Sequence, residues 1–229
     1  MGAVQLFVGC IDDEDRDNSI IRNGKTLGMT GFNYLDYLNG AEVWTNYSCK
    51  FAEIENIGFQ SMIDRLKKEE NNGTLNRKII LSVSELGDIL DSIGSTTNEV
   101  LFINSFLRQI GKLGEDKGEI IFRGDLQRFF DLHKRFRIHT TNILIPAKFH
   151  IDDNTLCNSP KCKRKHKVKV YSYKPFYEKV IKIFDAEKVG NLYNTYQIIK
   201  DTLKIPSKKE MQLLENEEKR LKSANAKGD

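Results

Sequence analysis

The chain has 229 residues, 39% hydrophobic and 30% charged, with a net charge of +4; this suits one globular domain with appendages and excludes a disordered polymer or a core that needs covalent staples. No apolar run approaches the roughly 18 residues of a membrane helix, and the start from Met1 to Val8 lacks the basic stretch of a signal peptide, so no membrane span and a cytoplasmic location are expected. Cys10 and Cys49 stand apart while Cys157 and Cys162 are close, a pattern that favours a reducing compartment and a metal-binding pair over a disulfide framework.

Val4–Cys10 reads as a short buried strand, and the acids of 12–17 that follow must be solvated. Leu27, Met29, Phe32, Leu35 and Leu38 recur at helical spacing, predicting a helix over Lys25–Leu38 that Asn39-Gly40 ends. Glu42–Asn46 reads as a strand. Ile57–Leu66 reads as a helix with Phe59, Met62, Ile63 and Leu66 on one side, and Asn71-Asn72-Gly73 as a turn. Ile79–Val83 has the character of a parallel strand covered on both faces. Further on, the pattern predicts a helix over Val100–Ile110, a strand over Glu119–Phe122 and a helix over Leu126–Lys134. Asn142–Phe149 and Lys167–Tyr173 read as strands joined by a polar insert, and Tyr177–Leu203 as mostly helical. The expected division is a domain over 1–205 and, beyond Pro206, a charged helical tail over 206–229, solvated or docking a partner through Met211, Leu214 and Leu221. Strands alternating with helices predict an α/β three-layer fold with a mostly parallel sheet, the strand ending near Cys10 lying centrally and Ile79–Val83 buried beside it.

Gly24-Lys25-Thr26 falls between the first strand and the first helix. A phosphate-binding loop needs backbone N–H groups around the phosphates, a lysine for the terminal phosphates and a hydroxyl for Mg²⁺. Asn23, Gly24, Lys25, Thr26 and Leu27 are therefore the candidate nucleotide-binding residues, with Thr26 toward the metal. The full pattern places a glycine five residues before Gly24, where Ser19 stands; alternatively Gly9 is that glycine and residues 10–23 are an insertion. The acids of 12–17 oppose bound phosphate unless they point away or hold a metal.

Gly24-Lys-Thr-Leu-Gly-Met-Thr30, Tyr34-Leu-Asp-Tyr-Leu-Asn-Gly40 and Glu42-Val-Trp-Thr-Asn46 together resemble the opening of the Zot-like P-loop ATPases of archaea and their viruses and plasmids, within the FtsK–HerA class of DNA-translocating and DNA-packaging motors. Ile79–Glu85 followed by Ile89-Leu-Asp-Ser92 is similar to that family's Walker B segment. Gln109–Gly114 resembles its Gln-x-Arg-Lys-x-Gly, Asp125-Leu-Gln127 with His133–Arg137 its sensor glutamine and following Arg-x-Arg, and Tyr193–Tyr196 a motif near the domain's end. The resemblance covers roughly residues 4–200. It implies a three-layer P-loop NTPase fold of the RecA/FtsK–HerA kind, bound ATP and Mg²⁺, a head-to-tail homo-oligomeric ring and DNA as partner. Lys25 would contact phosphate, Glu85 orient the attacking water and Gln127 sense the γ-phosphate. The family's Walker B aspartate falls on Ser84 and its finger arginine on Gly111, departures that bear on hydrolysis because Mg²⁺, lysine and arginine supply most of the charge neutralisation in phosphoryl transfer. Glu85 also suits a helix N-terminus, and Gln127, Arg135 and Arg137 also suit a polar surface.

His150, Cys157, Cys162 and His166 offer four N/S ligands with Cys-x₄-Cys-x₃-His spacing, the set for a tetrahedral structural Zn²⁺ that closes the polar insert; an ordinary loop with free thiols is the alternative. Lys161, Lys163, Arg164, Lys165, Lys167, Lys169 and Lys174 fall within 14 residues without an acid. Such a cluster attracts a nucleic-acid backbone, with Tyr171, Tyr173, Phe176 and Tyr177 available to stack on bases, or else forms a charged strand edge that blocks aggregation. Two functions follow: a motor-type ATPase acting on DNA in translocation or packaging, or a degenerate relative serving as a nucleic-acid-binding or scaffold subunit. Virion extrusion at a membrane, a third role within the family, lacks a membrane segment here.

Overall fold

The computed structural model describes residues 3–10, 24–87, 106–107, 110, 118–132, 134–157, 159, 162–174 and 177–194. The expected helix over Val100–Ile110 lies mostly outside them, as do the tail over 206–229 and the acids of 12–17. The elements are β1 (Ala3–Cys10), α1 (Lys25–Leu38), β2 (Glu42–Thr45), α2 (Phe59–Asn71), β3 (Ile79–Val83), β4 (Ile120–Arg128), a 3₁₀ turn (Phe129–Asp131), α3 (Lys134–Arg137), β5 (Asn142–His150), β6 (His166–Lys174), β7 (Tyr177–Asp185) and α4 (Ala186–Gly190).

One seven-stranded sheet has the order β2-β3-β4-β1-β5-β6-β7, which puts β1 in the middle. The strands from β2 through β5 pair in parallel, and β5, β6 and β7 pair antiparallel. Helices cover both faces, because every central strand is apolar on both sides. Val4, Leu6, Val8, Leu81, Val83 and Phe122 pack with Phe59, Met62, Ile63 and Leu66 of α2 on one face. Phe7, Ile80 and Ile121 pack with Met29 of α1, Val168, Val170 and Phe184 on the other. Helix α1 lies so close to the antiparallel strands that a Cβ at Gly28 would stand 2.8 Å from the Pro146 ring.

Three expectations are corrected. Ile79–Val83 is fully buried, but β4 separates it from β1. No helix begins at Leu126: β4 continues through Arg128, registered against Cys10 of β1, and only the 3₁₀ turn and α3 follow. The polar run Arg123-Gly124-Asp125 makes the strand look finished at Phe122, yet Arg123 and Asp125 are buried and satisfied by hydrogen bonds, so the ladder goes on. Tyr177–Asp185 is likewise a strand at the sheet's end, and among the described residues of the expected 177–203 stretch helix is confined to Ala186–Gly190, residues 195–203 lying outside them. Strand β7 exposes Ile181 and Ile183, and its lysines Lys179 and Lys182 are exposed with them, a composition that discourages edge-to-edge pairing.

Candidate functional site

The carboxyl ends of β1, β3 and β4 meet the start of α1. Gly24 is the N-cap at φ 123°, a left-handed backbone that favours glycine, and among the described residues neither a capping side chain nor a first-turn acid occupies this helix end. The backbone N–H groups and positive dipole end of a 14-residue helix therefore face the strand ends. Lys25 Nζ donates to Gln127 Oε1 at 3.2 Å. The Thr26 hydroxyl donates to Asp125 Oδ2 and lies 3.4 Å from Ser84 Oγ. Leu27 is half-buried against the α1-side core.

Residues 82 and 84 of the chain around β3 alternate onto the face that 123, 125 and 127 of β4 share, which is the α1 face. Ser84 Oγ donates to Asp125 Oδ2 at 3.1 Å, and the Glu85 N–H donates to Asp125 Oδ1 at 2.6 Å. Asn46 clamps the end of β3 in both directions, donating to Ser84 O at 3.0 Å and accepting from Ser84 N–H at 2.7 Å. Glu85 itself is exposed, with φ 56°, a left-handed conformation for a residue with a Cβ. Such strain persists only where neighbours hold it, and here the Asp125 carboxylate grips its N–H.

The structure thus brings Lys25, Thr26, Ser84, Glu85 and Gln127 to one place, with Gln127 on a strand and not on a surface helix. Asn23, Ser19 and Gly111 lie outside the described residues. Gly9 belongs to β1, where a Cβ would stand 2.9 Å from the Gln127 carbonyl oxygen, so close strand packing is sufficient reason for this glycine. Arg137 has its guanidinium 4.5 Å from the Phe130 ring centroid, and the Arg135 side chain is outside the described set. Sequence reasoning missed Asn46 and Asp125 as site residues; the period-2 link from Gln127 to Asp125 was the available signal for the second.

Directly below, Arg123 is 2% exposed. Its guanidinium donates to Gln5 Oε1 at 2.8 Å, to Asn33 Oδ1 at 2.9 Å and to Asp36 of α1. Asp36 also pairs with Lys78 at 2.8 Å. Burial pushes the Asp36 carboxyl up, but Arg123 and Lys78 together outweigh it and hold the group below its ordinary 3.8. Burial pulls the Arg123 guanidinium downward from its ordinary value, against the pull of Asp36.

At the far end of the β5–β6 pair, His150 and His166 are directly opposite in register. The nearest ligand atoms of His150, Cys157, Cys162 and His166 all lie within 4.8 Å of one another. Tetrahedral zinc with N and S ligands needs edges of about 3.3–3.8 Å, a small contraction from this arrangement. His150 Nδ1 bonds Thr155 Oγ1 at 2.9 Å, while its Nε2 faces Cys162 Sγ at 3.4 Å. Among the described residues His166 Nε2 is buried without a hydrogen-bond partner, the one orphaned nitrogen in the group. Burial, then the charge of Lys148, pulls the His166 pKa down and keeps the ring neutral, the form that binds metal. Arg164 bridges Asp152 and Asp153, at 2.5 Å and 2.6 Å, and so ties the two arms of the insert together.

Around this cluster Lys163, Arg164 and Lys165 are exposed. Lys167 and Lys169 are partly covered, and Lys169 Nζ sits 4.2 Å from the Phe149 ring centroid. Tyr171 and Tyr173 are half-buried and packed on the α2-side core, so as base-stacking platforms they offer little free ring face. Lys161 and Phe176 lie outside the described residues.

No family model and no curated protein matches the chain. Solved structures to which the chain is similar include the N-terminal domain of zonular occludens toxin from Neisseria meningitidis, 18% identical with a TM-score of 0.46 over 85% of this chain and 100% of that one. A KaiC-like protein from the hyperthermophilic archaeon Pyrococcus horikoshii is 10% identical with a TM-score of 0.31 over 79% of this chain and 71% of that one. Neither likeness carries an argument about this chain. The fold is a three-layer α/β domain with a mostly parallel sheet, in which Gly24-Lys25-Thr26 opens the first helix after β1. Among the described residues no helix is long and apolar enough to cross a membrane.

Proposed function

We propose that this chain is an ATP-binding P-loop domain of the motor type that acts on DNA. The observation that carries the reading is the convergence of Lys25, Thr26 and Gln127 on the carboxyl ends of the central parallel strands, beside a helix N-terminus whose N-cap is Gly24. In open α/β sheets this edge is where ligands bind. Lys25 and the first-turn N–H groups would bind the phosphates, and Gln127, already on the lysine, would report the γ-phosphate. The hard oxygen donors here suit Mg²⁺, with the Thr26 hydroxyl as one ligand. When bound, Mg²⁺ would neutralise phosphate charge. The exposed Glu85 carboxylate would orient water.

Two further assignments belong to this reading. His150, Cys157, Cys162 and His166 would hold a structural Zn²⁺, supported by the orphaned His166 Nε2. The clip would present the basic segment around Lys163–Lys165 to the DNA backbone. The domain would run over 1–205 with 206–229 as its tail, and the protein would work in the cytoplasm as a homo-oligomeric ring.

Titration with a fluorescent ATP analogue tests the phosphate site. Lys25→Ala should weaken binding by tenfold or more, about 1.4 kcal/mol or above, and Glu85→Ala much less, because lysine contacts phosphate in the ground state whereas the carboxylate acts on water in the reaction. Equal binding by wild type and Lys25→Ala removes the assignment. DNA-stimulated ATP hydrolysis that disappears in Lys25→Ala supports the motor. Ser84 in place of the β3 carboxylate favours the second reading, a non-hydrolysing DNA-binding or scaffold subunit, which predicts analogue binding without turnover.

A further inference from the structure

The P-loop arrangement holds its metal between the loop hydroxyl and a carboxylate at the end of a neighbouring strand. Here the expected β3 position carries Ser84, which has no charge. The hydroxyl of Thr26 nevertheless donates to a carboxylate, that of Asp125. Asp125 belongs to β4, the strand between β3 and β1. Gly124 is registered against Val83, so Asp125 stands level with Ser84, one strand spacing away, and the two side chains meet at 3.1 Å. Asp125 is 0% exposed, and α1, β3 and β4 converge on it.

Resting on the proposed phosphate site, we infer that Asp125 is the metal-holding carboxylate of this protein, the role having moved sideways from β3 to β4. The serine at 84 is what makes the shift workable. Two carboxylates at 84 and 125, with side chains this close, would repel each other in a buried position; a hydroxyl instead donates to Asp125 and leaves one negative charge at the site. Glu85 is a poorer candidate, since its side chain is exposed and its backbone N–H is itself held by Asp125. The same carboxylate therefore has a second, positioning role. Through Oδ1 it fixes the left-handed backbone at Glu85, and through Oδ2 it reaches Thr26, which couples the metal site to the water-orienting residue.

The test uses the full chain, a fluorescent ATP analogue and either Mg²⁺ or Mn²⁺, with bound Mn²⁺ read by electron paramagnetic resonance. In the wild type the cation should tighten analogue binding by about tenfold or more. In Asp125→Asn that tightening should vanish and nucleotide-dependent Mn²⁺ signal should be lost. Metal-free analogue should bind the variant as well as the wild type or better, because a negative charge near phosphate has been removed. Ser84→Asp combined with Asp125→Asn returns the carboxylate to β3 and should restore the metal effect, which loss of folding alone would not allow. Metal-dependent tightening that survives in Asp125→Asn overturns the assignment while leaving the phosphate site intact. Absence of analogue binding by the wild type, with and without metal, overturns the phosphate site and the assignment together.

Discussion

Asp36→Ala should cost about 3–5 kcal/mol of stability, the range for stripping the partner from a buried charge, which is a large share of the 5–15 kcal/mol typical of a domain. Arg123 is 2% exposed, and its other partners, Gln5 and Asn33, are neutral. Without Asp36 the guanidinium stays desolvated with no carboxylate bonded to it among the described residues, Glu119 acting on it only from a distance, and Lys78 beside it loses one of its two carboxylates. For a domain of this size the loss corresponds to a fall in the unfolding midpoint of roughly 6–20 °C. Adding Arg123→Met to Asp36→Ala should recover part of the loss, since the uncompensated charge is then gone. The pH dependence has a definite sign. The Asp36 carboxyl is held below its ordinary 3.8 in the folded state. The pair's contribution is therefore fully present above that value and fades as pH falls through the lower, folded-state value. The wild type and Asp36→Asn should differ at neutral pH and converge in acid. Chemical denaturation curves measure both effects, and a single variant within about 0.5 kcal/mol of wild type, the range of an ordinary surface change, would count against the buried pair as a determinant of this fold.

Removing metal from the His/Cys cluster should have the second largest effect, and a local one. Purified protein is expected to carry close to one equivalent of zinc by elemental analysis. Chelation should become easier as pH falls, because thiolates and neutral imidazoles must take up protons to release the metal. Among its described residues the insert is tied mainly by polar contacts: the Arg164–Asp152–Asp153 bridge, the hydrogen bonds around Thr155, and the backbone bonds from Ile151 to Lys165 and from Cys157 to Lys148. Metal loss should therefore loosen residues 150–166 and leave the sheet, which has two cores, intact. DNA binding should weaken more than nucleotide binding, with the salt dependence of DNA affinity flattening by about one in slope for each lysine displaced from phosphate. Cys157→Ser should reproduce both changes. Metal-free protein with unchanged DNA affinity would leave the insert an ordinary loop.

Much of the frame was legible in the chain itself. The boundaries of α1 follow from its apolar spacing and from Asn39-Gly40, and the five residues of β3 stand out as a strand because both faces are covered. The candidate ligand cluster of the insert is legible for a similar reason: two cysteines and two histidines at this spacing match the donor set of a tetrahedral site, and the hairpin register that sets His150 against His166 brings them together. Lys25 and Thr26 are a local signal, a Gly-Lys-Thr at the opening of an amphipathic helix, and needed no long-range information. What the sequence did not determine is the order of the strands. A local pattern carries no record of which strand a later one will slip between, so β4 was expected outside the β1–β3 pair and is found within it. The same long-range step decides Asp125. In the sequence it is a polar residue after a glycine, 41 positions from Ser84 and 99 from Thr26. Only when β4 enters the middle of the sheet do those three side chains share one face at the end of one helix, because a buried carboxylate is stable only where tertiary contacts supply its donors.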